Sequence, residues 1–268
     1  MPTASATYDF KGTTLLVTGG AGDIGRAVAL RCAADGAGIA LVDLDEGKMA
    51  TVVEQLREAG HDAEGYRCDV TDAEQVGATV AAAAGRFGRI DYCFNNAGYQ
   101  GLFVPTADYP EADFRKVMDV NVVGVFNVLV AVARHMREAG GGAIVNTASY
   151  AGVIGPPNML AYAASKFAVI GITKTAARDL APHGIRVNAV SPSLIGPGFM
   201  WTRQTELQAA AGSQYFDGDP KVVERQMIDS VPMRRLGSLQ EVANTVAMLL
   251  SDETSYVTGV NLEVTGGQ

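Results

Sequence analysis

Along the chain, short apolar and β-branched runs alternate with longer stretches whose apolar positions recur at helical spacing. Strands are predicted at 14–18, 38–43, 64–68, 92–95, 143–147, 186–190 and 261–264, and helices at 24–35, 46–59, 73–87, 111–139, 160–181 and 239–250. This alternation is the signature of βαβ units, in which each helix carries the chain back so that the next strand runs parallel to the last. The expected fold is α/β: a doubly wound sheet of seven parallel strands with helices on both faces. No linker, charge block or repeat breaks the pattern, so residues 1–268 read as a single domain. The exception is 193–237, a long connection holding Gly196-Pro197-Gly198, Trp201, Phe216 and Met227. Connections of this length in compact domains cover binding sites or carry small helices, and this one is expected to be a substrate lid.

Composition narrows the function. With 48% apolar and 19% charged residues the chain can build a sizeable core. A net charge of −8 and a pI near 4.9 argue against nucleic acid or an anionic membrane as partner, since both need a cationic face. Cys32, Cys68 and Cys93 are odd in number, lack CxxC spacing and sit in apolar stretches, which fits reduced, buried thiols. Residues 1–12 are polar without a signal-peptide core, and no later run is expected to span a membrane. The expectation is a soluble, cytoplasmic protein acting on small molecules.

The first strand ends in Thr18-Gly19-Gly20-Ala21-Gly22-Asp23-Ile24-Gly25 and runs straight into a helical pattern. Glycines there let the backbone turn tightly beside a diphosphate, whose charge the N–H groups of the helix start would meet. A ligand-free β-to-α turn reads the same. The second strand ends in Asp43, 18 residues after Gly25, where a dinucleotide fold of Rossmann type places an acid on the adenosine ribose. A carboxylate there repels a 2′-phosphate, and Leu44 follows in place of a cation, so NAD is expected over NADP. Asp69-Val70 and Asn96-Ala97-Gly98 end the third and fourth strands and outline the rest of the crevice, although turn chemistry alone would also place them there.

Tyr162 and Lys166 are four apart and so share a helix face. A phenol has a pKa of about 10, and a nearby ammonium favours its phenolate. That makes the tyrosine a usable acid/base for an alcohol that must lose a proton as its carbon loses hydride. An exposed Tyr–Lys pair would give the same spacing. What turns the reading toward catalysis is Ser149, 13 residues upstream of Tyr162, together with the Asn95-Asn96-Ala97-Gly98 turn and Asn121 within Asp119-Val120-Asn121-Val122.

In this ordered set the chain, from Thr14 to Gly267, resembles the short-chain dehydrogenase/reductase family, and its length, its NNAG turn and its Thr265-Gly266-Gly267 ending favour the classical branch. The resemblance implies that Tyr162 is the acid/base and that Lys166 binds the nicotinamide ribose and lowers the tyrosine pKa. It implies that Ser149 orients the reacting oxygen and that Asn121 holds a water joining Lys166 to a proton relay. Pro192 and Ile195 would flank the nicotinamide carboxamide. The sequence departs from the family at Asp23, where TGxxxGxG has its middle glycine, so that the turn reads equally as TGxxGxxG, and at Ser193, where glycine is usual.

Within the family the resemblance is to bacterial NAD-dependent xylitol dehydrogenases, through NNAGYQG at 95–101, DYP at 108–110, GPPNM at 155–159, GPGFMW at 196–201, RQ-x-ELQA at 203–209, GSQYF at 212–216 and SVPMRR at 230–235. It implies oxidation of a polyol. Gln100, Asn158 and Gln204 could pair its hydroxyls, while Tyr99, Met159, Met200 and Trp201 close the pocket; each is also ordinary packing or loop material. A ketone, 3-oxoacyl or cyclic-alcohol reductase is the competing substrate reading, and a non-catalytic NAD-binding regulator the competing class. His61, His135 and His183 have no ligand spacing and are expected at the surface, with no metal expected. The broad apolar faces of 111–139 and 160–181 fit the homotetramer that the resemblance implies, although a buried core helix gives the same pattern.

Overall fold

The computed structural model describes residues 6–268, so the first five residues of the polar 1–12 segment lie outside the described residues. Seven strands, β1 (Thr14–Thr18), β2 (Gly38–Asp43), β3 (Ala63–Arg67), β4 (Tyr92–Asn95), β5 (Gly142–Thr147), β6 (Ile185–Pro192) and β7 (Asn261–Val264), form one sheet in the order β3-β2-β1-β4-β5-β6-β7. Every pairing is parallel. The chain winds outward from β1 to β3, then returns to β4 and winds the other way. That reversal between β1 and β4 opens a crevice at the carboxyl ends of the strands.

Strand side chains alternate between faces, and the core divides accordingly. Leu15 and Val17 pack with residues of α1 (Asp23–Ala34), α2 (Glu46–Glu58) and α10 (Leu239–Leu250) on one face. Leu16 and Ile144 pack with α3 (Ala73–Phe87), α5 (Val125–Ala139) and α7 (Leu160–Leu180) on the other. Aspartate or serine caps start several helices, including Asp45 before α2, Asp72 before α3 and a Ser238–Glu241 capping box before α10.

Some expectations need revision. Strand β6 runs on to Pro192 because Ser191 and Pro192 still pair with β7. The helix expected at 111–139 is α4 (Glu111–Met118), a π-helical turn (Asp119–Gly124) and α5 in one continuous run. By length and composition that run, Glu111–Ala139, could cross a membrane, contrary to the expectation that no segment could. Its apolar face lies instead against the sheet and α3, half of it buried inside the fold. The four-residue α6 (Ala151–Ile154) is too short to show a period, and the 193–237 segment folds into α8 (Phe199–Ala210) and α9 (Pro220–Ser230) around Trp201, Val223 and Met227. His183 is exposed as expected, but His61 and His135 are half-buried, and His135 Nε2 accepts from Ile90 N. All three cysteines are free and buried.

Candidate active site

One cleft of about 770 Å³ lies over the β1/β4 reversal, and most of the expected site residues line it. Tyr162 sits in the first turn of α7 and Lys166 one turn later, the Lys166 ammonium 5.6 Å from the centre of the Tyr162 ring. Lys166 Nζ donates to the Thr147 carbonyl at 2.7 Å. Burial holds its pKa down at about 8, because a desolvated ammonium sheds its proton more readily. Burial pushes the Tyr162 phenol up, and the hydrogen-bonded Ser149 hydroxyl pulls it partly back. The segment after Ser149 packs very closely on α7: a Cβ on Gly152 would lie 2.6 Å from the Lys166 carbonyl carbon.

Asn121 falls in the π-helical turn and is fully buried. Its side chain accepts from Tyr99 N at 2.7 Å and donates to the Tyr99 carbonyl and to Ser165 Oγ. A Cβ on Gly98 would meet Asn121 Oδ1 at 3.3 Å and Lys166 Nζ at 3.7 Å, so Asn121 and Lys166 flank one backbone position. Asn121 lies behind the cleft wall rather than on it.

At the other end, Gly19, Gly22, Asp23 and Ile24 line the cleft where β1 passes into α1. Gly19 has φ +61°, and a Cβ there would press on Ala97. Gly25 was expected to contact a ligand but does not line the cleft. Its role is packing, since a Cβ would come 2.2 Å from the Gly19 carbonyl oxygen. Asp43 Oδ2 accepts from Ala21 N at 2.9 Å and Oδ1 from Asp45 N at 3.0 Å, which fixes its carboxylate beside the turn. Asp69 Oδ1 accepts from the backbone and hydroxyl of Thr71, and Val70 packs against Gly124. Asn96 Nδ2 donates to the Thr18 and Gly19 carbonyls. Pro192 and Ile195 complete this wall. An open backbone cradle at a helix start, with an acid at the end of β2, suits a dinucleotide without a 2′-phosphate.

The remaining wall holds Gln100, Met159, Met200 and Gln204. Gln100 is buried; its Nε2 donates to Gln204 Oε1 at 3.4 Å, while its Oε1 has no partner. Asn158 was expected beside them, but it does not line the cleft. Its positive φ turns the side chain to Gln208 and Ser213, to both of which it donates at 2.9 Å, and it anchors α8 instead.

Other contributors are visible only in three dimensions. Thr18 Oγ1 accepts from Asn96 N and Ala97 N, tying the ends of β1 and β4 together. Asp113 accepts from Tyr99 Oη, Tyr109 Oη and Leu102 N, clamping the loop that presents Gln100. Those three donors hold its carboxyl below the usual range, outweighing the effect of burial. An aspartate in an amphipathic helix gives no sequence signal for this.

The family model described as Enoyl-(Acyl carrier protein) reductase matches residues 19–268. Levodione reductase of Leifsonia aquatica is 40% identical over 99% of this chain and 97% of its own length. A 3-oxoacyl-(acyl-carrier-protein) reductase of Staphylococcus aureus is 36% identical over 94% of this chain and 96% of its own. Among solved structures, NAD+-bound xylitol dehydrogenase superposes with a TM-score of 0.95 at 56% identity, covering 96% of this chain and 99% of that one.

Proposed function

The chain belongs to the short-chain dehydrogenase/reductase family, and from that premise we propose that it is an NAD-dependent dehydrogenase that oxidises a secondary hydroxyl of a polyol such as xylitol. The turn from Gly19 to Ile24, Asp43, Asp69, Val70, Asn96, Ala97, Gly98, Pro192 and Ile195 would hold NAD along the cleft. Bound there, the cofactor supplies the hydride acceptor.

The protein's own part is the proton. Tyr162 Oη takes it from the alcohol hydroxyl, and Ser149 Oγ holds the same oxygen in place. The buried Lys166 ammonium, across the Tyr162 ring, favours the phenolate that this step requires. The water site implied for Asn121 finds no room here, since its side chain is buried and bonded to Tyr99 and Ser165, so Asn121 would act by holding the Tyr99 loop in place beside Lys166. In the reverse direction Tyr162 returns the proton to a carbonyl oxygen.

The observation that carries the polyol reading is Gln100 Oε1, a buried acceptor without a partner on the cleft wall. An unsatisfied buried acceptor costs about 1–3 kcal/mol, and a donor brought to it recovers that cost. A second hydroxyl of a polyol does so; a lone ketone oxygen does not. The 56% identity to a xylitol dehydrogenase supports the same choice. The likeness to levodione reductase favours a cyclic ketone or alcohol as the rival. An intact Ser149, Tyr162 and Lys166 set weighs against a non-catalytic role.

Initial rates of NAD+ reduction with xylitol, sorbitol, galactitol, a cyclic diol and a 3-hydroxyacyl thioester separate these readings. Turnover confined to the polyols supports the proposal, and turnover confined to the cyclic diol or the thioester refutes it. We also propose the homotetramer that the family resemblance implies, which the apolar side chains of Val123, Phe126 and Phe167 exposed on the long helices would suit, and a cytoplasmic location, which the free thiols would suit. Sedimentation analysis tests the first and fractionation the second.

A further inference from the structure

Helix α8 starts at Phe199, and the residue before it, Gly198, has no side chain to satisfy the helix's first N–H groups. Asp23 does so from elsewhere in the fold. Its Oδ2 accepts from Phe199 N at 3.1 Å, and a Cβ on Gly198 would lie 2.6 Å from that same oxygen. The two segments therefore meet at a distance that the bare backbone of Gly198 permits. Asp23 is also the first residue of α1, on the turn that forms one end of the cleft. One carboxylate thus stands between the positive ends of two helices. Glycine, which the family pattern places at this position, can make neither contact.

We propose that Asp23 is a positioning residue that docks the lid helix α8 onto the cofactor turn. Through that bond α8 is held over the cleft, where Met200, Trp201, Gln204 and Gln208 form its wall. A carboxylate beside a diphosphate site is repulsive unless its charge is met elsewhere, and here the N-terminus of α8 meets it. Docking of the lid and occupancy of the cofactor turn therefore favour one another, by the same factor in each direction. The inference rests on the NAD-dehydrogenase reading and is independent of which alcohol is oxidised.

Hydrogen exchange of the full chain, with and without saturating NAD+, tests it without any alcohol. In the wild type, NAD+ should slow exchange at Phe199 and the following α8 amides as well as in α1. Asp23→Gly should lose about tenfold of the α8 slowing, the worth of one charge-assisted hydrogen bond, and keep that of α1. Asp23→Asn, which still offers an acceptor but not the charge, should recover part of it. Gly198→Ala should loosen α8 in the wild type and add nothing in Asp23→Gly. With whichever alcohol is turned over, Asp23→Gly should raise KM about tenfold. Unchanged α8 slowing in Asp23→Gly overturns the proposal, as does a full Gly198→Ala effect in that background. Absence of slowing anywhere in the wild type would instead overturn the cofactor reading on which it stands.

Discussion

Lys166 Nζ donates to the carbonyl of Thr147 at 2.7 Å, so the second turn of α7 is tied to the last residue of β5 through a buried ammonium. The link puts the cation beside Tyr162 at the cost of desolvating it, and its pKa falls from 10.5 to about 8. Between those values the unfolded chain holds more protons than the folded one, so stability rises with pH across that window. Below about pH 8 both states are protonated and the full cost applies. Lys166→Met should abolish this rise in urea unfolding measured across the window. It should also remove turnover, with little net change in stability at pH 7, because the Thr147 carbonyl loses this donor as the desolvation is relieved.

Tyr162→Phe should lower kcat by about 10²–10⁴-fold, the usual worth of a general acid/base, with NADH affinity by fluorescence titration unchanged within twofold. Ser149→Ala should act on the same phenol in a second way. The Ser149 hydrogen bond pulls the Tyr162 pKa down against burial, so its loss should move the acidic limb of the kcat/KM profile for alcohol oxidation to higher pH. An unmoved limb would mean that another group governs proton acceptance.

Gly25→Ala drives a methyl group to within 2.2 Å of the Gly19 carbonyl, and backbone must move to receive it. Overpacking of this kind costs about 1–3 kcal/mol. Thermal unfolding should show a lower Tm, and titration should show weaker NADH binding even though Gly25 does not line the cleft.

Gln100→Leu removes the unpartnered acceptor. Unliganded stability should hold or rise slightly, while kcat/KM for a polyol falls about tenfold, in line with an unpaired hydroxyl left in the complex. A monohydric secondary alcohol, having no further hydroxyl to pair, should lose less than threefold.

Much of the site was legible in one dimension because backbone chemistry imposes local spacing. The turn after β1 requires small residues at fixed intervals, Asp43 ends β2 at a distance set by one helix, and Tyr162 and Lys166 share a face because a helix turns every 3.6 residues. Residues whose place depends on contact between distant segments were less legible. Asn158 seemed a pocket residue from its neighbours in sequence, yet its positive φ sends it to Gln208 and Ser213. Gly25 belongs to the glycine pattern but serves packing.

By itself, then, the sequence determined the βαβ alternation, the glycine-rich turn after β1 and the shared helix face of Tyr162 and Lys166, which follow from local periodicity and short-range sterics, whereas Ser149 joined them only through the family resemblance. Only the tertiary structure decided which polar atoms stay unpaired and which are spent on each other. It leaves Gln100 Oε1 without a partner, gathers Tyr99 and Tyr109 onto Asp113, and sets Asp23 against the start of α8. Those outcomes depend on how segments far apart in the chain meet, because a hydrogen bond is made or lost over a few tenths of an ångström, a distance that residue order does not specify.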